Sequence, residues 1–279
     1  MSAYDLWAPR RRVERNYAWA IARLIRRRTE ILSKVTTPEE YLKALRDYAL
    51  SELFRQDAYG LAGKMVTQLF HDGERSWRAA ARKGSRGREI YEMLQKELSG
   101  GIGYAYHDTI RNNAQYITTL PDTLAKISTG IAARAQTQGK RPEEVVRYML
   151  AAFPDMTKTH AQLIARTEIS KASTALTRAR SEECGFDWYI WRTADDGNRV
   201  RDSHQLMEDV LVRWSDPPSP ERLNREKREY GAYHAGETFN CRCHPEPLIE
   251  LHYTTWPHKV YYGGRIQTMT RRQFERIAA

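Results

Sequence analysis

The chain has 279 residues, 41% hydrophobic and 29% charged, a balance that suits a folded protein and excludes an intrinsically disordered one. Its formal net charge of +10, from 45 Lys and Arg against 35 Asp and Glu, points to an anionic partner: nucleic acid, an acidic protein surface or anionic lipid. Three cysteines argue against a disulfide framework, and no run reads as a transmembrane helix or secretory signal, so synthesis in the cytosol is expected.

Residues 4–34 read as a basic amphipathic helix. Val13, Tyr17, Ile21, Leu24, Arg28 and Ile31 fall near helical spacing, with Ile25 and Leu32 widening the stripe. Arg10, Arg11, Arg12, Arg15, Arg23, Arg26, Arg27, Arg28 and Lys34 crowd the other faces, interleaved with Trp7 and Trp19. Such a helix can lie on DNA, on a membrane surface or on an acidic partner, or can be the solvated face of a bundle helix.

Thr37-Pro38-Glu39-Glu40 has the pattern of a capping box, and Leu42, Leu45, Ala49, Leu53 and Phe54 predict the helical face that follows. A further helix is expected from about Ala58, broken at Gly84-Ser85-Arg86-Gly87. A short one around Ile90 to Leu98 stops at Gly100-Gly101. Helical period resumes from Ile102 to Leu120. Asp122 is expected to cap the next helix, which stops at Gly139. Pro142-Glu143-Glu144 starts another, with its end expected at Phe153-Pro154. Residues 1–154 therefore read as a helical basic domain.

A long helix is expected from Thr157 to Cys184, then a strand over Phe186 to Arg192, a turn at Asp195-Asp196-Gly197-Asn198, and one or two helical turns before Leu206. Val210-Leu211-Val212 reads as a second strand, residues 215–237 as a long loop, and Phe239 to Cys243 as extended. Residues 155–252 form the expected second domain. The tail, 253–279, mixes aromatic residues with a basic helical turn at Arg271-Arg272-Gln273-Phe274. The fold class is α+β: a mainly helical first half followed by a small domain of short strands and long loops.

Three chemistries compete for the region between Trp188 and His244. His204, Cys241, Cys243 and His244, with His234 as a further candidate, offer the sulfur and nitrogen donors that zinc takes at tetrahedral geometry. An extended Cys-x-Cys would turn both thiols to one side. Alternatively, Asp195, Asp196, Asp202, Glu168 and His204 offer carboxylates and a base for a metal-dependent nuclease or other DNA-processing enzyme, centred on Asp196, His204 and Cys241. No Walker loop, His-Glu-x-x-His or serine triad motif accompanies them. The third reading is structural: Arg166, Glu168, Asp196, Arg199, Arg201, Asp202 and Asn240, with His204, tie the long helix to the small sheet through ion pairs and hydrogen bonds. Cys184, before Gly185, reads as a core residue.

Ala165-Arg166-Thr167-Glu168, then Trp191-Arg192-Thr193, Asp196, Arg199-Val200-Arg201-Asp202-Ser203-His204 and finally Asn240-Cys241-Arg242-Cys243 together resemble the Mu F-like phage head morphogenesis family. The resemblance covers roughly residues 130–250. The family's Leu-Asp-Gly-like turn is replaced here by Leu206-Met207-Glu208-Asp209. The resemblance implies a minor capsid protein of tailed phages: a structural, non-enzymatic component of the virion, made in the host cytoplasm and acting in head assembly, DNA packaging or DNA delivery. Its implied partners are the portal protein and the capsid or scaffolding proteins. Arg10, Arg11, Arg12, Arg23, Arg26, Arg27 and Arg28 fit nonspecific contact with packaged DNA through counterion release.

Overall fold

The computed structural model describes residues 6–26, 32, 34–194 and 200–278. Arg27, Arg28, Ile31, Arg199 and the expected turn Asp195-Asp196-Gly197-Asn198 lie outside the described residues. The described chain is α+β and packs as two units that interleave along the sequence. One comprises Met1–Arg10, Thr67–His107 and Thr167–Ala279; the other comprises Arg11–Val66 and Asp108–Arg166.

The second unit is helical. It holds α1 (Arg11–Arg26) and α2 (Pro38–Leu50), part of α3 (Glu52–Ala81), the end of α5 (Gly101–Thr118), α6 (Leu120–Thr137) and the first part of α7 (Pro142–Glu183). The stripe of α1 is buried as its period predicts: Val13, Tyr17, Ile21, Leu24 and Ile25. The capping box forms, with Glu40 N–H donating to Thr37 Oγ1 (3.2 Å) and Thr37 N–H donating to Glu40 Oε2 (3.3 Å).

Several helix boundaries differ from expectation, among them the start of α1, which falls at Arg11 rather than near residue 4. Leu53 and Phe54 do not extend α2: the chain breaks at Ser51, whose hydroxyl accepts the Phe54 N–H (3.3 Å) at the start of α3. Pro154 does not end a helix either; α7 runs through it. Proline removes one donor and strains a turn, but the buried stripe Val145, Val146, Met149, Phe153, Thr157, Ala161, Ile164 and Ala165 continues on both sides. Packing along that face holds the helix together across the proline. Asp122 sits inside the first turn of α6, which starts at Leu120.

The other unit carries α4 (Gly87–Gln95), the end of α7 and a five-stranded sheet. Its strands are β1 (Trp188–Arg192), β2 (Val210–Arg213), β3 (His244–Pro247), β4 (His258–Tyr262) and β5 (Arg265–Met269), in the order β3-β1-β2-β4-β5. The pair β2–β4 is parallel and the others are antiparallel. Two short helices, α8 (Asp202–Leu206) and α9 (Pro220–Leu223), lie in the connections, and α10 (Arg271–Ala278) closes the chain.

The interior strand β1 is buried at all five positions because both faces are covered. Trp188 and Ile190 face a cluster with Leu211, Val260, Met269 and Phe274 of α10. Tyr189 and Trp191 face the opposite cluster, which includes Met207, Val210, Val212, Trp214, Tyr233, Cys241 and Cys243. The tail is part of the sheet: Gly263 and Gly264, both at positive φ, make the two-residue turn between β4 and β5. A buried ion pair lies deeper in this unit. Arg180 Nε donates to Glu97 Oε1 (2.5 Å) and Nη2 to the Phe70 carbonyl (3.0 Å).

Candidate metal centre

The centre is assembled from two segments on the Tyr189–Trp191 side of the sheet. Helix α8 presents Ser203 and His204 inward and leaves Asp202 exposed. The second segment, residues 238–243, is a turn rather than the expected extended strand. Cys241 N–H donates to the Thr238 carbonyl (3.3 Å), and Asn240 takes φ 56°. Asparagine tolerates that left-handed conformation better than most residues. Cys243 N–H then donates to Cys241 Sγ (3.3 Å), so the backbone itself folds the two sulfurs together.

The face of α7 fixes this turn through hydroxyls. Thr167 Oγ1 accepts the Asn240 N–H (3.1 Å), Ser170 Oγ donates to the Cys241 carbonyl (2.8 Å) and Thr174 Oγ1 donates to the Ala235 carbonyl (2.6 Å). These three residues share one helical face. Between them, Gly236 takes φ 90°, and a Cβ there would sit 2.6 Å from Thr174 Oγ1 and 2.8 Å from the Cys243 carbonyl oxygen. Only glycine fits.

The result brings His204 Nδ1 to 3.5 Å from Cys241 Sγ and 3.4 Å from Cys243 Sγ. All three donors lie within 4.8 Å of one another and all three residues are buried. Cys243 and its backbone donate to the Cys241 sulfur, holding that thiol well below its ordinary pKa. The same contact and burial push Cys243 well above it, so the pair retains a proton. His204 Nε2 lies 3.0 Å from the Tyr233 hydroxyl, which donates to Glu221 Oε1 (2.5 Å). Burial and the neighbouring carboxylate push the Tyr233 pKa up, so it remains a donor. Because its hydrogen goes to Glu221, its oxygen accepts from His204 Nε2–H. In the neutral tautomer with its proton on Nε2, the imidazole lone pair on Nδ1 faces the sulfurs.

Not every expected ligand joins. His244 is buried at the start of β3, opposite Arg192, and strand alternation turns it away from Cys243; among the described residues the cluster is His204, Cys241 and Cys243. His234 is engaged elsewhere. Its Nδ1 meets the Tyr189 hydroxyl (3.2 Å), its ring packs edge-on to Trp214 (5.2 Å), and burial and the Arg178 charge press its pKa down to about 4.

Of the residues expected to tie α7 to the sheet, Asp196 and Arg199 lie outside the described residues, and Asn240 bonds Thr167 of α7. Arg166 Nε pairs with Glu14 Oε1 (3.3 Å), while buried Glu168 pairs with Lys171 (3.3 Å). Arg201 donates to the Phe239 carbonyl (2.7 Å) and lies over the Tyr230 ring. A different arginine organises the sheet edge: Arg192 bonds Glu246 on β3 (2.5 Å) and Asp209 before β2 (2.7 Å). Glu221, Tyr233, Thr174 and Gly236 carry no motif that marks them in the sequence. As for the nuclease chemistry, His204 is 2% exposed with both ring nitrogens engaged, which does not suit a general base reaching a nucleic-acid substrate.

The second candidate surface is α1. At 100° per residue, Arg11, Arg12, Arg15, Trp19, Arg23 and Arg26 fall within about a third of the circumference, and all six are exposed. No acidic residue shares that arc; Glu14 lies off it, paired with Arg166. Arg23 stacks over the exposed Trp19 ring (5.1 Å). Arg10, just before the helix, is also exposed. The opposite, apolar face is buried within the fold, so it is not available to enter a lipid surface. Among the described residues no helix is long and apolar enough to cross a membrane.

Residues 122–245 match the family described as Phage Mu protein F like protein, which bears out the resemblance over that stretch. An uncharacterized protein of Haemophilus influenzae is 34% identical over 105 residues, which cover 37% of this chain and 21% of that relative's length. No solved structure matches the chain.

Proposed function

Taking residues 122–245 as a Mu F-like module, we propose that the chain is a structural minor head protein of a tailed phage. It joins the procapsid through the portal protein and neighbouring capsid or scaffolding proteins, and it works in head assembly, DNA packaging or DNA delivery without catalysing a reaction. The family match carries the assignment to the phage head.

The arginine arc of α1 supports the DNA side of this reading. A continuous cationic strip neutralises phosphates and releases counterions without reading sequence. The exposed Trp19 adds a flat apolar surface suited to sugar or base contact. The centre at His204, Cys241 and Cys243 holds the module together in this account and takes no part in DNA chemistry.

Co-expression with the portal protein of the same phage tests the reading. The two are expected to co-elute in size-exclusion chromatography at a salt concentration that removes DNA. Independent elution at every salt concentration contradicts portal association.

A further inference from the structure

We propose that His204, Cys241 and Cys243 bind a zinc ion, with Glu221 and Tyr233 acting through His204 to aim its Nδ1 lone pair at the metal. The inference goes beyond the head-protein reading and is tested on the isolated chain.

Distances come first. Zinc bonds of about 2.3 Å to sulfur and about 2.05 Å to nitrogen, at a tetrahedral angle, set nitrogen and sulfur about 3.5 Å apart. His204 Nδ1 stands 3.5 and 3.4 Å from the two sulfurs. Both nitrogen–sulfur edges already have the length that tetrahedron requires, the two sulfurs lie within 4.8 Å of each other, and the fourth position falls to a water molecule or another small donor.

Donor type and charge agree with the geometry. Two thiols and an imidazole, with no carboxylate in the cluster, select zinc over magnesium or calcium. Zn²⁺ with two thiolates and a neutral imidazole sums to zero charge, which a buried site tolerates far better than an isolated ion. On binding, two Zn–S bonds and one Zn–N bond form, and the protons still held by the thiols leave to solvent.

The surroundings prepare the site. The relay Glu221–Tyr233–His204 is the outer shell that a metal-bound histidine ordinarily has. The Cys243 N–H to Cys241 Sγ bond and the α7 hydroxyls fix the sulfurs independently of the metal. The bound ion would clamp α8 to a segment 37 to 39 residues further along the chain.

The test is elemental analysis of the full chain purified without chelator, paired with cobalt(II) titration of the reduced, metal-stripped protein. About one zinc per chain and a thiolate-to-cobalt charge-transfer band are expected. Both are lost in Cys241→Ser with Cys243→Ser, and both persist in His244→Ala. Glu221→Gln keeps the band but weakens zinc binding about 10- to 100-fold. A folded, reduced wild-type chain that gives no charge-transfer band overturns the proposal, whatever the variants do. Zinc retained undiminished without the two sulfurs also overturns it.

Discussion

The Tyr233 hydroxyl lies 3.0 Å from His204 Nε2, inside a core where both residues are buried. Its hydrogen is committed to Glu221, so this one contact determines which imidazole nitrogen meets the cysteines. Tyr233→Phe removes the bridge and leaves a buried carboxylate and a buried imidazole N–H without it. The expected loss is about 1–3 kcal/mol of unfolding free energy, read by urea denaturation with circular dichroism. Unchanged stability contradicts the relay.

His234 gives the fold a pH dependence of definite sign. Its folded pKa is pressed from 6.5 to about 4, so between those values the unfolded chain binds a proton that the folded chain refuses. The stabilisation is complete above pH 6.5 and is lost as pH falls toward 4, by about 3 kcal/mol in all. Replacing it, His234→Gln, should flatten this slope relative to wild type in urea unfolding between pH 7 and 4.5. Parallel slopes for the two chains contradict the assignment.

Gly236 separates steric crowding from backbone strain. Gly231 and Gly236 have similar φ, 88° and 90°, but a Cβ at Gly231 meets nothing within 4 Å. Gly231→Ala should therefore cost about 1–2 kcal/mol from φ alone. Gly236→Ala should cost clearly more, because the Thr174 hydroxyl and Cys243 carbonyl must also move. Equal thermal shifts for the two variants contradict the close approach.

The arginine arc predicts a salt dependence. Each phosphate contact contributes about 0.9 to the slope of log K against log salt on duplex DNA. Arg12→Gln, Arg15→Gln and Arg23→Gln together should lower that slope by about 2 to 3, with affinity falling alike on unrelated sequences. Fluorescence anisotropy at several salt concentrations measures it. An unchanged slope moves the DNA contact elsewhere.

Local signals made much of this fold legible in the sequence. The Thr37–Glu40 box, the α1 stripe and β1 were all readable because each depends on neighbours close along the chain. Pro154 misled because a proline's local cost was offset by a buried stripe that only tertiary packing makes visible. The β4–β5 hairpin carried its signal in Gly263-Gly264, but its pairing with β2 depends on a contact nearly fifty residues away along the chain. The site divides the same way. His204, Cys241 and Cys243 stood out by residue type. Strand alternation removed His244, and Glu221 and Tyr233 became meaningful only when α9 and the following loop brought them behind His204. Residue types suggest an ionic network but not its partners: Arg166 pairs with Glu14, Glu168 with Lys171, and Arg201 bonds the Phe239 carbonyl.

The central claim, that this chain is built into a phage head, is tested most directly by quantitative mass spectrometry of purified procapsids and virions of the phage that encodes it. The account predicts the chain in procapsids at a fixed, low ratio to the major shell protein. Its absence from both particles, with the chain recovered only in the soluble lysate, would contradict the account.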